Sequence, residues 1–221
     1  MRIGLFGGTF NPIHNGHLWA AVEVKNGFNL DQIYLIPAAV PPHKTPGTVA
    51  NADDRLQMIN LAIADLSGIM VADVELRRPG LSYTIDTVRY FKRTLKKGSR
   101  IFLMMGLDAF LEINTWKSYQ ELLEQIAFII IARPTGAYPN ALRGRKILED
   151  YFKSGLAANY HLAAGGDYYL AEEKQPIYFC DVNAPDISST IIRRKVKEKK
   201  AIENWVPLPV AKYIQLKGLY R

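Results

Sequence analysis

Apolar residues recur along the chain in two alternating rhythms: short unbroken runs, and longer stretches that carry one apolar stripe. Residues 2–6 (Arg-Ile-Gly-Leu-Phe) read as a strand, and residues 17–28 as a helix with Leu18, Ala21, Val22 and Val24 at its apolar positions. Residues 32–36 predict a second strand. Leu56, Ile59, Ile63 and Leu66 then keep the helical period, behind an Asp53 placed to cap them. A strand is predicted over 69–74, and a helix over 82–96 with Ile85, Val88, Phe91 or Lys92, and Leu95 on one stripe. Basic residues in the last turn of that helix suit its dipole. Residues 100–105, 126–132 and 177–182 complete the predicted strands, and 126–132 is the most apolar of them. Short apolar runs separated by helices imply an α/β fold built on a doubly wound parallel sheet, covered on both faces. Ligands in such folds bind beyond the carboxyl ends of the strands, where the strand order reverses.

The stretch 134–176 breaks the rhythm. It is rich in Gly, Ala and Tyr and predicts one helix, around 145–152. It carries no repeat and no linker composition, so we expect a single domain over 1–221. That domain would have a peripheral excursion around 134–176 and a C-terminal helical portion from about 188.

Composition narrows the class. With 221 residues, 48% hydrophobic and 22% charged, the chain can bury a real core and is not a disordered segment. No apolar run approaches the ~20 residues of a membrane helix. The first strand begins almost at Met1, leaving no room for a signal peptide. Cys180 is the only cysteine, which fits a reducing cytoplasm and a free, buried, inert thiol. The formal charge of +7 suits either nucleic acid or a small polyanion. Part of it is local, in Arg193, Arg194, Lys195, Lys197, Lys199 and Lys200, which we read mainly as a solvated helix face.

Three stretches carry candidate chemistry. Residues 7–17, Gly-Gly-Thr-Phe-Asn-Pro-Ile-His-Asn-Gly-His, lead from the first strand into the first helix. A glycine-rich turn there brings backbone N–H groups and a helix N-terminus to one spot, which is a phosphate site. His14 and His17 can reach one anion from the helix start, whereas a metal would want a third ligand that the sequence does not place nearby. In Pro-Ala-Ala-Val-Pro-Pro-His-Lys (37–44) three prolines stiffen a loop that ends on Lys44, either a phosphate clamp or an incidental surface lysine beside His43. In Asp-Ile-Ser-Ser-Thr-Ile-Ile-Arg (186–193) three hydroxyls open a helix where a cap needs one. Ser189 and Arg193, four apart, share a face and can grip one triphosphate, and Arg194 faces solvent. Ser82-Tyr83-Thr84 and Gly106-Leu107-Asp108 read alone as helix starts, and Trp116 as a core residue.

Residues 7–17 resemble the His-x-Gly-His signature of the nucleotidyltransferase superfamily, and closely that of the bacterial nicotinate mononucleotide adenylyltransferases. Many of those carry Asp where this chain has Asn11. Pro-Pro-His-Lys and Ile-Ser-Ser-Thr-x-Ile-Arg are similar to elements of the same family, and the likeness spans 3–133 and 185–220. Family members often have a glycine soon after the 188–193 helix, where this chain has Lys199-Lys200-Ala201. The resemblance implies a Rossmann-like nucleotidyltransferase fold and transfer of the adenylyl group of ATP to nicotinate mononucleotide, giving deamido-NAD and pyrophosphate in NAD biosynthesis. It implies catalytic roles for His14, His17, Lys44 and Arg193. ATP contacts would come from Gly7, Gly8, Thr9, Phe10, Gly106, Asp108, Ile187, Ser188, Ser189 and Thr190. Nicotinate mononucleotide would meet Lys44, Tyr83, Thr84, Asp108, Trp116 and Arg133.

We expect Mg²⁺ to be delivered with ATP and no metal site on the protein. Neither nucleic acid nor a membrane is expected as partner, and a homo-oligomer stays open. Sister readings are a nicotinamide mononucleotide, phosphopantetheine or glycerol-phosphate nucleotidyltransferase. From another class, a non-catalytic nucleotide- or RNA-binding module would use the basic helix and leave the two histidines unexplained.

Overall fold

The computed structural model describes residues 1–39, 49–132, 141–154, 159–182, 185 and 187–221. Its strands are β1 (Arg2–Gly8), β2 (Gln32–Pro37), β3 (Ile69–Val71), β4 (Arg100–Gly106), β5 (Ala127–Ala132), β6 (His161–Leu162), β7 (Tyr168–Leu170) and β8 (Ile177–Asp181). They form one sheet in the order β3-β2-β1-β4-β5-β8-β7-β6. The first six in that order run parallel, while β7 and β6 add an antiparallel edge. Strand order reverses between β1 and β4, so their carboxyl ends, Gly7–Gly8 and Gly106, flank the crevice where a ligand is expected.

Side chains of the parallel strands alternate between two cores. Ala127, Ile129 and Ile131 of β5 join one core, and Phe128 and Ile130 join the other. The first core is closed by α1 (Asn15–Gly27), α2 (Ala52–Ile63), α7 (Ser189–Lys197) and α8 (Leu208–Lys217). The second is closed by α3 (Thr84–Thr94), α4 (Leu107–Leu111), α5 (Tyr119–Gln125) and α6 (Ala141–Lys153). Each fully buried Leu, Ile or Phe contributes about 1.5–3 kcal/mol by leaving water. Among the described residues no helix is long and apolar enough to cross a membrane.

Several local readings change. α2 is capped by Asn51, whose side-chain oxygen accepts the Asp54 N–H at 2.8 Å, and Asp53 sits in the first turn instead. Its inward face is Arg55, Met58, Ile59, Ala62 and Ile63, so Leu56 and Leu66 are only partly buried. α3 stops at Thr94 and leaves Leu95 extended, because Gly98 at φ +87° turns the chain into β4. Phe91 rather than Lys92 lies on the buried stripe. β3 is three residues long rather than six. The 134–176 stretch supplies α6 and the short β6 and β7, and Leu148, Phe152 and Tyr169 from it are buried in the second core. The Cys180 thiol is free and half-buried, and burial, then the Glu23 and Asp181 carboxylates, push its pKa up to about 11. A thiol so rarely ionised near neutral pH is inert, as expected.

Among the described residues, three helices end in one way. The N–H of Leu30, Lys200 or Leu219 reaches back to the carbonyl of Lys25, Lys195 or Ile214, past a residue with positive φ. That residue is Asn29 after α1, Gly218 after α8 and Lys199 after α7, with φ of 49°, 61° and 56°. Glycine avoids the Cβ clash there, asparagine tolerates it, and lysine does neither. Lys199→Gly should therefore raise stability by roughly 0.5–1 kcal/mol in urea denaturation, after the extra freedom of glycine in the unfolded chain is subtracted. An unchanged midpoint would mean that Lys199 is not strained.

Candidate active site

β1 ends on Gly7 and Gly8, and the chain turns there because Phe10 adopts a left-handed φ of 48°. The Phe10 ring is 2% exposed and packs edge-on against Phe6 and His17, with centroids at 6.0 and 5.0 Å. It also lies 3.0 Å from where a Cβ on Gly8 would stand, so a larger residue there would press on the ring. His14 is extended and forms the N-cap of α1. Its backbone N–H donates to His17 Nδ1 at 3.3 Å, which assigns the His17 proton to Nε2. The two imidazoles stack with centroids 3.6 Å apart. Two imidazolium ions in that stack would repel, so an anion beside the pair would favour its N–H donors.

The loop is held from behind by parts of the chain far away in sequence. Asn11 Oδ1 accepts the Ala50 N–H at 3.0 Å and the Tyr220 hydroxyl at 2.9 Å. Its backbone carbonyl accepts Arg193 Nη1 at 2.9 Å, and the Pro12 carbonyl accepts Ser189 Oγ at 2.9 Å. Ser189 and Arg193 thus share a face, as their spacing predicts, and that face is docked on the signature loop. Beneath it lies Arg55, only 1% exposed, which donates to the carbonyls of Thr9, Ala50 and Ala39 at 2.9, 3.0 and 3.4 Å. Burial lowers the Arg55 pKa from its ordinary value, and burial raises that of the Tyr220 phenol.

Beside the loop, at the reversal point, opens a largely apolar cavity of about 350 Å³. Gly7, Gly8 and Thr9 form one wall, and Gly106 and Met105 of β4 another. Ser82, Tyr83 and Thr84, at the start of α3, face Trp116 and Lys117. The Lys117 ammonium lies 4.4 Å from the centre of the Tyr83 ring and 3.4 Å from Asp86 Oδ2. Glu75 and Thr87 are buried in the same wall. A cavity of this size and character fits a small aromatic ligand.

The expected site residues divide by place. Gly7, Gly8, Thr9, Gly106, Tyr83, Thr84 and Trp116 line the cavity. His14, His17, Ser189 and Arg193 cluster at the adjoining loop, with Phe10 packed beneath His17. Ser188 caps α7 by accepting the Ile191 N–H, and Thr190 accepts from Arg193 Nη2. The Ile187 side chain is buried in the first core, so any ligand contact there would come from its backbone. Asp108 is exposed, and its carboxylate lies beside Gly106, where a Cβ would make it swing away. Lys44, His43 and Arg133 lie outside the described residues. Sequence reasoning missed Arg55, Glu75, Thr87, Lys117 and Tyr220. Arg55 left one trace, a charge in step with the apolar period of Met58, Ile59 and Ala62.

Residues 5–195 match the cytidylyltransferase-like family. A protein of Desulfatibacillum aliphaticivorans named "probable nicotinate-nucleotide adenylyltransferase" is 41% identical over 221 residues, all of both chains. One of the same name from Thermus thermophilus is 38% identical over the full length of both. The chain belongs to the cytidylyltransferase-like family and, within it, to the nicotinate-nucleotide adenylyltransferases. The fold agrees: nicotinic acid mononucleotide adenylyltransferase of Plasmodium falciparum, solved with NaAD, superposes with a TM-score of 0.74 at 20% identity, covering 99% of this chain and 97% of that one.

Tyr220→Phe removes one donor to Asn11 and keeps the ring, so it should lower stability by about 1 kcal/mol. Tyr220→Ala also empties ring volume and should cost roughly 3 kcal/mol or more. Thermal or urea unfolding of both variants tests this, and a Tyr220→Phe variant as stable as the unaltered chain would remove the hydroxyl from the account.

Proposed function

We propose that this chain, as a single nucleotidyltransferase domain, transfers the adenylyl group of ATP to nicotinate mononucleotide, releasing pyrophosphate. One observation supports it above the rest. A donor-rich turn carrying the stacked His14 and His17 adjoins, at the sheet's reversal point, an apolar cavity walled by Tyr83, Thr84 and Trp116. One half suits phosphates and the other a pyridine ring with its carboxylate near the start of α3.

In this reading the substrate's own phosphate oxygen attacks the α-phosphorus of ATP in line, and the bond to the bridging oxygen of pyrophosphate breaks. No side-chain nucleophile is needed, so catalysis comes from positioning and charge stabilisation. His14 and His17 donate to the ATP phosphates. Arg193 and Lys44 offset charge that builds on the transferring group and on pyrophosphate. The glycine turn and the hydroxyls of Ser188, Ser189 and Thr190 complete the ATP side, with Gly106 and Asp108 toward the ribose. Among the described residues no three His, Cys, Asp or Glu stand close enough to hold an ion. In this reading Mg²⁺ enters with ATP, ligated by phosphate and water oxygens, and would supply charge neutralisation.

The test is pyrophosphate release from ATP and Mg²⁺, with nicotinate and nicotinamide mononucleotides offered separately. Faster turnover with the nicotinate form is expected. Equal turnover would remove the carboxylate preference, and silence with both beside an active phosphopantetheine reaction would move the chain to a sister activity. His17→Ala should lower turnover about 10²–10³-fold, the range for losing one preorganised donor. A loss below about tenfold would take His17 out of the mechanism.

A further inference from the structure

A polar chain that no motif accounts for runs from the cavity wall, where Glu75 and Thr87 are buried, to the half-buried Arg78 behind it. The Thr87 hydroxyl donates to Glu75 Oε1 at 2.6 Å and accepts from Arg78 Nη2 at 3.2 Å. The same Arg78 nitrogen donates to the Tyr83 carbonyl at 3.4 Å. Glu75 is 7% exposed and Thr87 3%. Tyr83 is the N-cap of α3, and the Asp86 and Thr87 N–H groups turn back to its carbonyl. Its neighbour Ser82 accepts the Ala39 N–H at 2.8 Å, which ties this wall to the segment leaving β2.

We propose that Glu75, Thr87 and Arg78 are positioning residues for the pyridine end of the mononucleotide, an inference that rests on the function proposed above. The guanidinium donates to both sides, to the Tyr83 carbonyl and to the Thr87 hydroxyl, which in turn donates to Glu75, so each bond limits the geometry of the next. Its far end sets where Tyr83 and Thr84 present the first turn of α3 to the cavity. Out of water such a chain is stiff, and losing one member leaves its neighbours unsatisfied. The charges matter as well. A lone carboxylate in this wall would repel a ligand carrying its own carboxylate. Arg78 at the other side of the same hydroxyl offsets Glu75, so the wall holds Tyr83 in place without adding net negative charge.

Thr87→Val is nearly isosteric and deletes only the middle of the chain. It should raise KM for nicotinate mononucleotide about tenfold, leave KM for ATP within about twofold and change kcat little. Thr87→Ser restores the hydroxyl and should recover most of the loss. A rise in both KM values together with a lower Tm would mean plain structural damage and overturn the inference. So would a large effect of Glu75→Gln with none from Thr87→Val, since Glu75 would then be touching the ligand itself. Calorimetric titration of nicotinate mononucleotide into each protein separates the two claims. Absence of binding to the unaltered chain would overturn the proposed function and this inference with it. Equal binding by the unaltered chain and Thr87→Val would overturn this inference alone.

Discussion

A guanidinium that is almost completely out of water must satisfy its N–H groups with oxygen atoms fixed in place, or the fold loses several kcal/mol. Arg55 meets that requirement with the carbonyls of Thr9, Ala39 and Ala50. Those three oxygens come from the turn after β1, the segment after β2 and the residue just before the cap of α2. One side chain therefore ties the β1–α1 turn to both ends of the β2–α2 connection. The demand runs in both directions. The carbonyls of Thr9, Ala39 and Ala50 are held in place by Arg55, and Arg55 stays inside because they turn toward it.

On that base the signature loop is gripped from its other side. Asn11 collects the Ala50 N–H and the Tyr220 hydroxyl on its side chain and Arg193 on its carbonyl, and Pro12 takes Ser189. α7 is thereby docked on the turn that presents His14 and His17. The groups assigned to phosphate are held near one another by bonds to backbone, so their spacing does not depend on the ligand that would use them. A site fixed in this way loses little entropy when an anion arrives, and that is how positioning becomes catalysis.

What the sequence makes legible follows the range of the forces involved. The α/β alternation is local periodicity, and it survives in the strand order and in the two cores. Tyr83, Thr84 and Trp116 read alone as a helix start and a core residue, and only the family resemblance implied that they meet the mononucleotide; all three line the cavity. Asn51 displaced Asp53 as the cap of α2 because both are good capping residues and a two-residue choice between them is settled by packing. β6 and β7, two and three residues long, are too short to show any period. The bond from Tyr220 to Asn11 spans 209 positions, and nothing in either neighbourhood announces it. The polar chain through Thr87 was hidden for another reason. Its members stand 12 and 9 positions apart in no motif, and only the fold brings them together.

The two halves of the site apply opposite physics, and the proposed reaction needs both. At the cavity, apolar walls and a charge-balanced polar chain favour a flat ring and tolerate one carboxylate. Lys117 leans over Tyr83 but shares its charge with Asp86, so the mouth is only mildly positive. At the loop, backbone donors, two imidazoles and Arg193 crowd together, which is unfavourable until an anion offsets them. Binding the ring end in a rigid wall can therefore hold the substrate's phosphate against a cluster that is best satisfied when negative charge is spread over the transferring group. Energy from the unreactive end then serves the reacting end, which is where it can raise turnover rather than affinity alone.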